Sequence, residues 1–190
     1  RDSGVSKVFM PNIDDTTVEA MLNVCTAYKG YCFPMIGFHP TSVGADSLFR
    51  IYEMKKLLSG EHPFVAVGEV GMDLYWDKTY LKEQQKALDI QIQWALEYHL
   101  PLVLHCREAF PELFEVMEPY KKTELSGIFH SFTGTLEEAG QVLEYARFFF
   151  GINGVVTFKK SSLAEVLPHI PLDRIVLETD SPYLAPVPFR

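Results

Sequence analysis

Short apolar runs alternate with amphipathic stretches along the whole chain, the pattern of repeated strand and helix units built around a parallel sheet. Strands are predicted over residues 6–11, 32–38, 64–69, 102–105, 127–130, 148–152 and 174–178. Most are continuous Val, Ile, Leu and Phe rather than strict alternation, as expected of strands covered on both faces. Between them, Thr16 to Glu19 and Thr135 to Glu138 have the T-x-x-E spacing of a helix capping box. Val18, Met21, Leu22 and Cys25 share one helical face, and Phe110, Leu113, Phe114 and Met117 share another. The longest helix is predicted over 81–98, stopped by Pro101. These stripes are read as core packing and are given no chemistry.

Seven strands are one short of a closed (β/α)8 barrel, and 190 residues is below the ~250 typical of that fold. An open doubly wound sheet would gather a ligand at one switch point. Here four residues able to bind a metal sit at the ends of successive predicted strands: Glu69 in GEVGMD, His105 in LVLHCRE, His130 in GIFHSFTG and Asp180 in IVLETDSP. A barrel with an end missing explains that spread better. A single buried Glu or His is usually packing, but two imidazoles and two carboxylates at equivalent positions are a borderline-metal ligand set. Gly68 and Gly71 flank Glu69 and let the backbone approach something closely. Glu178 and Asp180, two apart on an extended chain, face the same side, where their repulsion calls for a cation. The predicted class is a metal-dependent hydrolase.

Other residues are less decided. His39 in IGFHP either bonds a substrate phosphate or leaving group or fills a turn before Pro40. Arg107 either meets a phosphate or forms a salt bridge with Glu108 or Glu69. Cys106, adjacent to His105 on a strand, points the other way. His62, His99 and His169 are read as surface residues.

Composition narrows the class further. The length fits one domain over 1–190, and 47% hydrophobic with 22% charged residues is ordinary for a globular chain. No apolar run approaches the ~20 residues of a membrane span, so no membrane partner is expected. Three cysteines without a C-x-x-C spacing do not support a disulfide framework or a structural zinc site, which points to a cytoplasmic protein. A net charge of -8 argues against a broad basic footprint on duplexes. It leaves room for an enzyme that grips one phosphate through metal ions. No P-loop, G-x-S-x-G elbow or G-x-G-x-x-G fingerprint is present, so nucleotide-cofactor chemistry has no support.

Taken in order, GEVGMD, LHCRE, HSFTG and ETDSPYL, with GFHP upstream, resemble the TatD family of metal-dependent deoxyribonucleases, within the amidohydrolase-like TIM-barrel superfamily. The resemblance covers nearly the whole chain. It implies a (β/α)8 barrel holding two divalent ions, Mg²⁺, Mn²⁺ or Zn²⁺. Glu69 corresponds to the carboxylate shared between them, His105 and His130 to ligands of the second ion, and Asp180 to a ligand of the first. It also places His39 and Glu178 near the reacting phosphate, with Asp180 and Glu178 orienting or deprotonating the attacking water. The implied substrate is DNA, trimmed from the 3′ end of single strands, with no stable protein partner. Family members carry an H-x-H pair on the first strand, and none of the six histidines here makes one. RDSGVSKVFMPNID then corresponds to the end of the first helix and the second strand, and PVPFR stops before the last helix. The expectation is a TIM (β/α)8 barrel lacking its first strand and last helix. Two other readings stay open: a small-molecule amide or ester hydrolase on the same barrel, and a non-catalytic fragment.

Overall fold

The continuous apolar runs form parallel strands. A computed structural model describes residues 4–189; Arg1 to Ser3, where the implied end of a preceding helix begins, and Arg190 lie outside the described residues. In chain order the strands are β1 (Val8–Pro11), β2 (Cys32–Met35), β3 (Val67–Asp73), β4 (Leu102–Arg107), β5 (Gly127–Phe129), β6 (Phe148–Ile152) and β7 (Ile175–Leu177). The helices between them are α1 (Val18–Ala27), α2 (Ser47–Lys55), α3 (Leu81–Glu97), α4 (Phe110–Met117), α5 (Leu136–Leu143) and α6 (Leu163–Val166).

Every strand pair is parallel, with β1 on β2 and then β3 to β7 in sequence order. A parallel bridge between Ile36 and Val67 joins the two sheets, helped by the Gly68 amide donating to the Ile36 carbonyl at 2.9 Å. Strand order therefore runs without the reversal that defines a doubly wound sheet, and the wall is that of a (β/α) barrel. Among the described residues β1 and β7 are not paired with one another.

Three strand ends differ from expectation in ways that bear on the site. β3 does not stop at Glu69 but runs to Asp73, and β4 runs past His105 to Arg107. β2 ends at Met35 rather than Phe38, because after the single bridge at Ile36 the Gly37 and Phe38 amides donate to the buried side chains of Asn12 and Gln91 instead of to a neighbouring strand. The first capping box also sits upstream of T-x-x-E. Asp14 is the cap: its Oδ1 accepts from the Thr16 amide at 3.0 Å, and its own amide donates to Thr17 Oγ1 at 3.2 Å, Asp being as good a cap as Thr. At α5 the expected box forms, with Glu138 N to Thr135 Oγ1 at 3.2 Å and Thr135 N to Glu138 Oε2 at 2.6 Å.

The α4 stripe Phe110, Leu113, Phe114 and Met117 is fully buried as expected. Its rings join those of β5 and β6, with Phe110 and Phe129 stacked at 6.4 Å and Phe129 edge-on to Phe148 at 5.6 Å. Burying a side chain of this kind contributes about 1.5–3 kcal/mol, so this aromatic layer anchors the strands that carry the site.

The glycines around Glu69 serve strand packing, not ligand approach. A Cβ on Gly68 would come within 2.5 Å of Val103 Cβ, and one on Gly71, whose φ is +140°, within 1.9 Å of the His105 carbonyl oxygen. Only a residue without Cβ lets β3 and β4 come this close. Gly71→Ala is therefore expected to destabilise the fold by about 3 kcal/mol, measured by urea unfolding; a midpoint equal to that of the wild type would show that the strands can separate freely.

Candidate metal centre

Glu69 reaches the site through a local irregularity. On β3, Gly68 pairs with Val103 and Val70 with Leu104, so Glu69 is the extra residue of a β-bulge. Such a bulge re-aims one side chain without breaking the strand. The carboxylate is largely enclosed, and its Oε1 lies 3.1 Å from His105 Nδ1, 3.8 Å from His39 Nε2 and 3.9 Å from His130 Nε2. Three imidazoles thus surround one carboxylate oxygen.

Each imidazole is held from behind. His105 on β4 donates from Nε2 to Asp73 Oδ2 at 2.8 Å. His130, just past β5, donates from Nδ1 to Glu178 Oε2 at 2.8 Å, and the Ser131 amide donates to Oε1 of the same carboxylate at 2.5 Å. His39 Nδ1 accepts from the Thr41 amide at 3.3 Å and lies 2.7 Å from Thr41 Oγ1. Asp180 approaches the other side of His130, with Oδ1 3.6 Å from Nε2. Glu178 and Asp180 therefore flank the two nitrogens of one ring. Their side-by-side placement follows the two-residue spacing, although β7 itself ends at Leu177.

The charges are strongly coupled. Burial alone would raise the Glu69 carboxyl, but the hydrogen bond from His105 and the approach of the His39 and His130 rings hold it well below the usual carboxylate range. Burial alone would lower His105, yet Asp73 and Glu69 push it up to about 9. His130 is likewise pushed up to about 10 against its burial, by Asp180, Glu178 and Glu69. Both rings therefore favour imidazolium at neutral pH when no metal is present, His105 with a proton facing Glu69 and His130 with one between Asp180 and Glu69.

Several of these groups were not legible from motifs. Asp73, the last residue of GEVGMD, braces His105 and is itself buried. Three buried amides clip the backbone beside the site. Gln84 bonds both the Asp73 amide and its carbonyl, at 2.9 and 3.0 Å. Gln91 accepts from the Phe38 amide at 2.7 Å, and Asn12 accepts from the Gly37 amide at 2.9 Å and donates to its carbonyl at 2.7 Å. Gln84 and Gln91 lie seven apart on one face of α3, among the apolar positions, and that pattern was their only sequence signal. Gly151 makes room for Glu178, since a Cβ there would lie 2.4 Å from Oε1.

Of the two readings for Arg107, the structure removes the salt bridge and leaves the phosphate. Among the described residues it forms neither ion pair anticipated for it; its guanidinium lies 3.6 Å over the Tyr75 ring. Cys106 faces away as expected, and burial pushes its thiol far up. His99 and His169 are exposed, but His62 is half-buried between Phe64 and Tyr98.

The family profile described as "TatD related DNase" matches residues 1–190. The chain belongs to the TatD family. As a TatD-family chain it is an α/β-barrel hydrolase of a metal-dependent kind. It is 32% identical over 187 residues to a protein of Bacillus subtilis (strain 168) named "Uncharacterized metal-dependent hydrolase YabD", covering 98% of this chain and 72% of that one. It is 33% identical over 188 residues to "3'-5' ssDNA/RNA exonuclease TatD" of Pantoea sp. (strain At-9b), with the same coverage of 98% and 72%. The crystal structure of YJJV, a TatD homologue from Escherichia coli K12, superposes with a TM-score of 0.82 at 27% identity, covering 96% of this chain and 70% of that one.

The donor set of this TatD chain fits a divalent ion. His39, Glu69 and His105 offer ligand atoms all within 4.8 Å of one another. Imidazole nitrogen with carboxylate oxygen is the set that such ions take, and Asp73 behind His105 is the usual carboxylate support of a metal-binding histidine.

A pH dependence follows for the metal-free protein. Because His105 and His130 titrate above the ordinary histidine value of about 6.5, their stabilising contribution is complete below that pH and is lost as pH rises through about 9 and about 10. Unfolding free energy measured in chelator should therefore fall over that alkaline window. Asp73→Asn should move the His105 part of the loss to lower pH, seen as a lower imidazole titration midpoint by NMR. A flat profile from pH 6.5 to 10 would contradict the coupling.

Proposed function

We propose that this chain carries the site of a metal-dependent deoxyribonuclease that trims single strands from the 3′ end. The observation that carries the reading is the convergence of three imidazoles on Glu69 Oε1 at 3.1 to 3.9 Å. The matching relatives named as 3'-5' ssDNA/RNA exonucleases support the choice of nucleic acid over a small amide or ester.

In this proposal Glu69, His105, His130 and Asp180 hold the metal, two ions in the complete site, of Mg²⁺, Mn²⁺ or Zn²⁺. A bound divalent ion supplies Lewis acidity, polarising a phosphoryl oxygen and making water acidic enough to lose a proton near neutral pH. Asp180, 40% exposed, is open to a water molecule and takes its proton. Glu178 has both oxygens engaged, one by His130 and one by the Ser131 amide, so it orients His130 rather than sharing in proton transfer. His39 accepts from the Thr41 amide at Nδ1, which leaves the ring hydrogen on Nε2, the nitrogen facing Glu69. A donor there suits a phosphate oxygen, so of the group His39, Glu69 and His105 we assign the last two, with His130 and Asp180, to the metal and His39 to the substrate. The unpaired cysteines Cys25, Cys32 and Cys106 support a reducing, cytoplasmic setting.

With a divalent cation present, single-stranded DNA should be hydrolysed and excess chelator should abolish the reaction. His105→Ala or Asp180→Asn should lower kcat/KM about 100-fold or more, with metal content falling in parallel. Undiminished cleavage by His105→Ala in saturating chelator would refute the reading, and preferential turnover of an amide or lactone panel would replace the substrate.

Metal uptake at pH 7 should also release protons, because His105 and His130 carry them there. Calorimetry in two buffers of different ionisation enthalpy reads this directly. His39→Ala that keeps its metal but raises KM agrees with the assignment; loss of metal would make His39 a ligand.

A further inference from the structure

Beside the metal centre, the rim after β3 presents two exposed rings. Tyr75 is 46% exposed and Trp76 73%. Isolated exposed apolar residues are ordinary on protein surfaces, but this pair is ordered. The rings meet edge to face at 4.7 Å and 88°, and the Arg107 guanidinium lies 3.6 Å over Tyr75 and 5.4 Å from Trp76. An aromatic pair with a guanidinium beside it is a flat, polarisable surface with a positive edge.

Hydrogen bonds tie that surface to the site. Leu74 donates to the Arg107 carbonyl at 3.0 Å, fixing the segment to β4. The Tyr75 amide donates to Asp73 Oδ1 at 3.0 Å, and Asp73 Oδ2 holds His105 at 2.8 Å. The Asp77 carboxylate accepts from the Thr79 amide at 2.8 Å, closing the turn that follows. The ledge is thus fixed relative to the imidazole that faces Glu69.

Electrostatics explain why a ledge is needed. The protein carries a net charge of -8, and Glu69, Asp73, Glu178 and Asp180 crowd the site. A polyanion gains little long-range attraction to such a surface. Beyond the one phosphate gripped at the metal centre, a non-ionic contact is the effective source of affinity, and base stacking on an aromatic face is one that tolerates any base.

We propose that Trp76, with Tyr75 and Arg107, is a stacking platform for an unpaired nucleobase of the strand whose end occupies the metal centre, Arg107 meeting the adjoining phosphate. The proposal rests on the nuclease reading and adds the source of its strand preference. Bases inside a duplex have both faces covered by their neighbours. Only an unpaired nucleotide can lay a face on Trp76, so the platform selects single strands and frayed ends.

The chain has two tryptophans, and Trp94 is buried at 1% exposure, which makes Trp76 a reporter of its own contact. Metal-loaded protein is titrated with a short oligothymidylate and with an abasic strand of equal length, which keeps the phosphates but has no bases. The oligothymidylate should quench Trp76 emission and bind more tightly than the abasic strand. Trp76→Ala should weaken oligothymidylate binding about 10- to 100-fold while leaving the abasic strand unaffected, and Trp76→Phe, which keeps a ring face, should restore part of the difference. An unchanged ratio between the two strands in Trp76→Ala overturns the platform, including where that variant merely melts earlier. Wild-type protein that hydrolyses single-stranded DNA with a KM indifferent to Trp76→Ala overturns the platform but not the nuclease assignment. Wild-type protein that neither binds nor hydrolyses the strand overturns both.

Discussion

The architecture of the site turns on one carboxylate oxygen, Glu69 Oε1, with three imidazole nitrogens around it. An enclosed carboxylate is unfavourable unless positive charge compensates it. His105 and His130 supply that charge, and each of the three rings needs its own partner to stay oriented: Asp73 for His105, Glu178 for His130, Thr41 for His39. The result is a set of alternating charges in which removing one member leaves its neighbour uncompensated. A divalent ion held by these residues would take the place of imidazolium protons.

Holding these groups in register falls to parts of the fold that carry no chemistry. The bulge turns Glu69 towards the histidines while the rest of β3 stays paired with β4. Buried amides at Asn12, Gln84 and Gln91 take over backbone hydrogen bonding where the strands stop supplying it. The aromatic layer of α4, β5 and β6 fixes the strand ends that deliver His130. Precision at the site therefore rests on satisfied polar groups inside an apolar wall.

Much of this was legible in the sequence, for identifiable reasons. Apolar runs marked the seven described strands, and most are continuous because a strand covered on both faces, such as β3, has no polar side to show. Glu69, His105, His130 and Asp180 stood out because a polar residue closing an apolar run is conspicuous. Asp73 escaped because β3 was expected to end at Glu69; nothing local signals a bulge in GEVGMD. The amides escaped because a Gln on an amphipathic helix looks like a surface residue until its spacing against the apolar stripe is counted. Arg107 was read as meeting either a phosphate or a neighbouring carboxylate because its charge is visible in the sequence, whereas the Tyr75 ring beneath it comes from a different strand-to-helix segment. T-x-x-E at Thr16 was outcompeted by the equally capable Asp14 upstream.

The partners in this centre are far apart along the chain, and unequally so. Glu69 and His105 are separated by 36 residues and His105 and Asp73 by 32, whereas His130 and Glu178 are 48 apart. As the polypeptide leaves the ribosome, the β3–β4 half can dock its three groups while the carboxylate that steadies His130 is still unmade. The second half of the site then closes onto a first half already in place. On that order of synthesis, His130 is made well before the Glu178 carboxylate that orients it.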